Sequence, residues 1–201
     1  MEQDYSYVVP DEQLEDASEG LSTMGLTLSL PSRLLLRTEG DFQAKGLFYR
    51  ITRSTLPSSI QHITLYPLSF SALSWWELEK KPPYHIQSSS RCRSIDVPSR
   101  MAVYASLLHL MVQYPGYCAT RTVLLSDLSE LIGYDLLGLE GGFVDPNDDE
   151  AWEDKEVDAK LACAAETIRG WVWLPGEEWM GDALVAVVAG TGSLQHLPCK
   201  A

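Results

Sequence analysis

Leu26, Leu28 and Leu30 alternate with small polar residues, and Leu47, Tyr49 and Ile51 alternate with Phe48, Arg50 and Thr52. A period of two sends successive side chains to opposite faces of a strand, so both stretches are predicted as β. Glu39-Gly40-Asp41 supplies turn chemistry between them. Ile63 to Tyr66 predicts a further strand, stopped by Pro67, whose nitrogen cannot donate to a ladder. Residues 21–70 therefore read as a β-rich half, most economically an antiparallel meander.

Beyond residue 97 the period changes. Asp96 followed by Pro98 has the form of a helix start, and from Ser99 to Gln113 nearly every position is apolar. Ser106, His109 and Gln113 fall on one face at helical spacing, which predicts a central helix with a narrow polar stripe facing solvent. Pro115-Gly116 ends it, and Thr120 to Leu125 predicts a short strand. Leu128, Leu131, Ile132 and Leu136 predict a helix capped by Ser126 or Asp127. Val157, Leu161, Ala164 and Ile168 predict another from about Ala151 to Ile168, ended by Gly170. Trp171-Val172-Trp173-Leu174 reads as a strand and Glu177 to Ala189 as a final helix with its acids at the favourable end. The fold class is α+β, an N-terminal antiparallel β-rich half packed with a C-terminal helix-rich half.

Two stretches lack sustained periodicity. Residues 1–20 hold seven acids and no base, and read as a flexible acidic tail, with order starting near Leu21. Lys80-Lys81-Pro82-Pro83 and Ser88-Ser89-Ser90 make residues 77–97 an irregular, exposed connection. Residues 21–201 are expected to form a single α+β domain.

Composition narrows the setting. At 45% hydrophobic, 201 residues can bury a sizeable core. The longest apolar stretches, Met101 to Val112 and Ala183 to Ala189, fall short of the roughly 20 residues of a membrane span. The N-terminus is acidic where a secretory signal is basic. Cys92, Cys118, Cys163 and Cys199 form no Cys-x-x-Cys and read as reduced thiols, so a cytoplasmic or nuclear location is expected.

The net charge of −13 argues against nonspecific binding to nucleic acid. That charge is segregated: residues 140–158 hold nine acids and one base, whereas residues 21–100 carry ten Lys or Arg against five Asp or Glu. The basic middle keeps an anion-binding surface open as an alternative, and Lys80, Lys81, Arg91, Arg93 and Arg100, interleaved with Tyr84 and His85, are its candidate residues.

No catalytic or cofactor pattern stands out. His196-x-x-Cys199 with His85 and Cys92 offers zinc-type ligands, but the second pair is not spaced as in structural sites. Asp145 to Asp158 lacks the alternating ligands of an EF-hand. Gly190-Thr191-Gly192-Ser193 follows a helix and has no adjoining Lys, so it reads as a helix cap rather than a phosphate cradle. His109, or His85, is the first choice for an unrecognised active site. No metal, cofactor or catalytic residue is expected.

Aromatic residues carry the remaining signal. In an extended Trp75-Trp76 the two rings point in opposite directions, leaving one for an interface. Asp4-Tyr5-Ser6-Tyr7-Val8, with Tyr5 and Val8 three apart beside acids, resembles the short motifs that bind ubiquitin-like autophagy modifiers. Leu30-Pro31-Ser32-Arg33-Leu34-Leu35 resembles the opening of an F-box over those residues alone. The expected function is a non-enzymatic interaction module, an adaptor or regulatory subunit with protein partners. The alternatives are a self-associating structural component, such as a viral matrix or shell protein, and an enzyme with an unrecognised histidine site.

Overall fold

The computed structural model describes residues 5–31, 33–52, 60–82, 93–139 and 157–200. Its fold is mixed α+β, with two sheets preceding the C-terminal helices. Contacts divide the chain into two units, Met1–Leu110 with Cys118–Thr120 and Met111–Tyr117 with Arg121–Ala201.

β-Branched and aromatic residues recur in four strands of the first unit: β1 (Tyr5–Val9), β2 (Thr27–Ser29), β3 (Leu47–Arg50) and β4 (His62–Pro67). They form one sheet in the order β1-β4-β3-β2. The expected antiparallel meander is present as β2, β3 and β4, whose registers pair Leu28 with Tyr49 and Tyr49 with Ile63. β1 makes the sheet mixed, because it joins β4 in parallel, with Tyr5 opposite Ile63 and Tyr7 opposite Leu65.

The N-terminal segment thus differs from the flexible tail expected of it. After β1 comes a 3-10 turn, Asp11–Gln13, and then helix α1 (Leu14–Thr23). Leu14, Ala17 and Leu21 share one helical face, and Tyr5-Ser6-Tyr7-Val8-Val9 is rich in strand formers. High acidity obscured both patterns: the acids occupy the solvent side.

Register fixes what covers each face of this sheet. Tyr5, Ile63 and Tyr49 lie in one row, and Tyr49 is fully buried with its hydroxyl 2.5 Å from Ser18 Oγ on α1. α1 therefore covers that face. On the opposite face, Tyr66 meets Phe42 of α3 (Asp41–Lys45) edge-on at 6.2 Å and Phe70 of α4 (Leu68–Ser71) at 5.5 Å. A short helix α2 (Arg33–Thr38) precedes α3. Gly40 starts α3 at φ 59°, and a Cβ there would strike the Thr120 side chain, whose Oγ1 accepts the Asp41 N–H at 2.9 Å.

The irregular connection is bounded by a second sheet, β5 (Leu78–Lys81) paired antiparallel with β6 (Ile95–Pro98), and its residues 83–92 lie outside those described. Because Asp96 and Pro98 belong to β6, helix α5 (Arg100–Gln113) starts later than expected; the Ser99 carbonyl accepts from Val103 N–H at 3.2 Å and its Oγ from Ala102 N–H at 3.3 Å. The polar stripe on α5 is not uniformly solvent-facing. Ser106 is buried and its hydroxyl donates to the Ser71 carbonyl, whereas Gln113 is exposed.

Thr120 to Leu125 is helical instead of a strand. α6 (Ala119–Leu131) runs into a π-helical turn, Ile132–Leu136, so Ser126 and Asp127 sit mid-helix and cap nothing. Arg121, Leu124, Leu128 and Ile132 are buried at helical spacing, and that stripe outweighs the β-branched residues at 120, 122 and 123. α7 (Val157–Arg169) buries Ala164, Ala165 and Ile168, and α8 (Glu178–Val188) buries Met180, Leu184 and Val188. Residues 151–156, expected to begin the helix of α7, are outside those described. Trp171 to Leu174 forms no strand; Trp173 instead lays its indole on Gly181, where a Cβ would strike it. Gly190, at φ 70°, ends α8 as a helix cap, with Thr191 N–H on the Ala186 carbonyl at 2.9 Å.

The C-terminal segment is held by one side chain. Arg121 is 1% exposed, and its guanidinium donates to the carbonyls of Met111, Leu197 (2.7 Å) and Pro198 (3.0 Å). Beside it, Lys200 N–H reaches the Tyr114 carbonyl at 3.2 Å. A flat cation with a fork of donors suits several carbonyls converging at one buried point. Arg121→Leu removes that donor from all three, and unfolding in urea should show a loss of about 3 kcal/mol, at roughly 1–3 kcal/mol for each buried acceptor left unpaired, offset by the desolvation no longer needed.

Candidate interaction surface

Ser74-Trp75-Trp76-Glu77 has the Ser-x-x-Glu spacing of a helix start, and the chain makes a single 3-10 turn there, Trp75–Glu77. The Glu77 carboxylate accepts the Ser74 N–H at 2.6 Å, while Glu77 N–H returns to the Ser74 carbonyl at 3.0 Å. Ser99 N–H fixes the Glu77 carbonyl at 3.0 Å, tying the turn to the residue that follows β6. The tryptophan pair thus lies on a closed turn and not in an extended segment. Neither indole is buried: Trp75 is 52% exposed and Trp76 77%.

The turn leads directly into β5, so Lys80 and Lys81 follow the tryptophans on a strand. Both lysines are engaged with acids. Lys80 Nζ lies 3.2 Å from Asp96 directly across the ladder, and Lys81 Nζ 2.7 Å from Glu79. Within β5 and β6 the two lysines are balanced by Glu79 and Asp96. These exposed pairs add little stability, about 0–1 kcal/mol each, but they leave the strands locally neutral. Arg93 is exposed just before β6; Tyr84 and Arg91 lie outside the described residues. A strongly cationic surface is thus not assembled by the described part of this segment.

Tyr5 and Val8 lie on β1, at the border of the larger sheet. They are 46% and 43% exposed, and Tyr7 between them is 50% exposed. Asp11, immediately beyond β1, accepts the Ser69 N–H at 2.9 Å and the Ser69 hydroxyl at 2.5 Å, so it caps α4 from a distant part of the chain. The Ser69 hydroxyl, followed by its N–H, holds the Asp11 carboxyl below the usual carboxylate range. Sequence reasoning passed over Asp11 because its partner is 58 residues away. It also passed over Glu77, although the Ser-x-x-Glu spacing was there to be read.

The other candidates are not brought together. His196 and Cys199 are exposed, and His85 and Cys92 fall outside the described residues. Among the described residues no cluster of three or more His, Cys, Asp or Glu is placed to hold a metal, and Cys118, Cys163 and Cys199 carry free thiols. His109 is half-buried on α5 and lines neither of two clefts, one of roughly 490 Å³ between Met24–Thr27 and Arg50–Thr52, the other of roughly 400 Å³ beside Trp173, Glu178 and Asp182. No helix among the described residues is long and apolar enough to cross a membrane. No protein-family model matches the chain, and comparison with curated proteins and with solved structures returns no match.

The Asp11 cap carries a pH dependence whose sign is set by its lowered pKa. Its contribution is complete above the ordinary carboxylate value of 3.8 and disappears as the pH falls through the lower folded-state value. Asp11→Asn should destabilise the protein at pH 7 and make progressively less difference below about pH 4, as read from unfolding midpoints and the Ser69 amide shift.

Proposed function

We propose that this protein is a non-enzymatic interaction module, an adaptor or regulatory subunit, which docks a protein partner through Trp75 and Trp76. The observation that carries this reading is the presentation of two consecutive indoles at a tightly bonded turn, both more than half exposed. Solvated tryptophan is costly to maintain, because burying a large aromatic surface is favourable, and a rigid turn limits the entropy lost when the rings become covered. Tryptophan is also the residue most enriched at interface hot spots.

The neutral character of β5 and β6 bears on partner chemistry. With Lys80 and Lys81 paired to Asp96 and Glu79, the surface favours an apolar contact with a polar rim over a phosphate backbone, which requires unpaired cations. The same pairing removes part of the electrostatic motive for self-association through a basic middle region.

A photo-crosslinking residue placed at position 76 should capture a stoichiometric partner. Replacing Trp75 and Trp76 by Ser should weaken binding of that purified partner by about 2 kcal/mol or more, roughly thirtyfold, while leaving the unfolding transition in place. Recovery of no stoichiometric partner, together with robust catalytic turnover, would reject the reading.

A further inference from the structure

β1 stands at one end of the four-stranded sheet. In the sheet order β1-β4-β3-β2, β1 pairs only with β4, and among the described residues no strand lies on its other side. Such an edge carries a row of backbone N–H and C=O groups directed away from the sheet, which an extended chain satisfies. Edges are ordinarily blunted by charge, by proline within the strand or by a bulge. Tyr5-Ser6-Tyr7-Val8-Val9 contains none of these: it is uncharged, pairs with β4 without a break in register, and leaves Tyr5, Tyr7 and Val8 substantially exposed.

Charge selects the occupant. The chain has no Lys or Arg before Arg33, and its first twenty residues hold seven acids. Glu12 lies three residues past the end of β1, and Glu15, Asp16 and Glu19 follow on the exposed side of α1. A second copy of this strand is a poor fit. It brings the same acids, Asp11 and Glu12, just past the strand, so a second copy adds negative charge to negative charge. An extended segment with basic side chains satisfies the backbone row and complements the acids, Asp11 and Glu12, that follow β1 in the chain.

We infer that β1 accepts an extended, basic peptide segment of a partner protein by strand addition along its free edge. The backbone supplies the hydrogen bonds, Tyr5, Tyr7 and Val8 contact alternate side chains of the incoming strand, and the acids that follow β1 in the chain attract its Lys or Arg residues and set the salt dependence.

The test uses the full-length protein and a blocked peptide of alternating Lys and Val, read by anisotropy and by amide chemical shifts. Binding should shift the amides of residues 5–9. It should weaken about tenfold or more when alternate peptide nitrogens are methylated, which removes donors without changing charge. The quadruple variant Glu12→Gln, Glu15→Gln, Asp16→Asn, Glu19→Gln should weaken it similarly, and because these side chains are exposed its fold can be verified by an unchanged unfolding midpoint. Equal binding of the methylated peptide, shifts confined to residues outside 5–9, no binding, or equal binding of a Glu-Val peptide overturns the proposal. Concentration-dependent dimerisation that perturbs residues 5–9 assigns the edge to a second copy and overturns it as well.

Discussion

The parallel pairing of β1 with β4 is the constraint on which the first unit depends. β4 sits between β1 and antiparallel β3, and its Thr64 and Leu65 are buried. Its end, Pro67, leads straight into α4, whose second residue is bonded by Asp11 from the end of β1. One strand pairing therefore brings together the N-terminal segment, the sheet and the helix that completes the aromatic cluster of Phe42, Tyr66 and Phe70. Because α1 follows directly, the same pairing also places Ser18 against Tyr49. The second unit has a separate anchor in Arg121, which collects three carbonyls from two distant parts of the chain.

The parts of the fold carried by local pattern were legible. The two-residue periods gave β2 and β3, the run ending at Pro67 gave β4, the helical spacing from Val157 gave α7 and its end near Ile168, and the run Glu177 to Ala189 gave α8. The parts set by distant partners were not. β1 becomes a strand through β4, nearly sixty residues away, and its acidic surroundings resemble those of a disordered segment. α6 contains Thr120, Thr122 and Val123, whose local preference favours a strand, yet the buried stripe from Arg121 to Ile132 prevails. Trp171 to Leu174 is a run of apolar residues that reads as a strand, but Trp173 finds its surface on Gly181 of α8.

The candidate surface was partly legible for similar reasons. Trp75 and Trp76 stood out from sequence, whereas the closed turn that leaves both rings exposed did not. The neighbouring lysines stood out as a basic patch, and the ladder register turned them into members of ion pairs, because β6 carries Asp96 opposite Lys80. A linear count of charge cannot detect such cancellation across a sheet. Conversely, the N-terminal acids read as a solvating tail, and the sheet order gives them a border strand to flank. The two proposed surfaces differ in chemistry, one apolar and fixed by a turn, the other a backbone edge in an acidic stretch of sequence.

The central claim is that residues 5–9 are a structured strand of the sheet. Hydrogen–deuterium exchange of the intact protein tests this most directly, since amides bonded to β4 are shielded and those of a mobile tail are not. Alternate amides within Tyr5–Val9 should exchange at least about a hundredfold more slowly than in the isolated segment, with protection approaching that of β3. Exchange of all of them at the rate of the free peptide would contradict the β1–β4 pairing and the surface built on it.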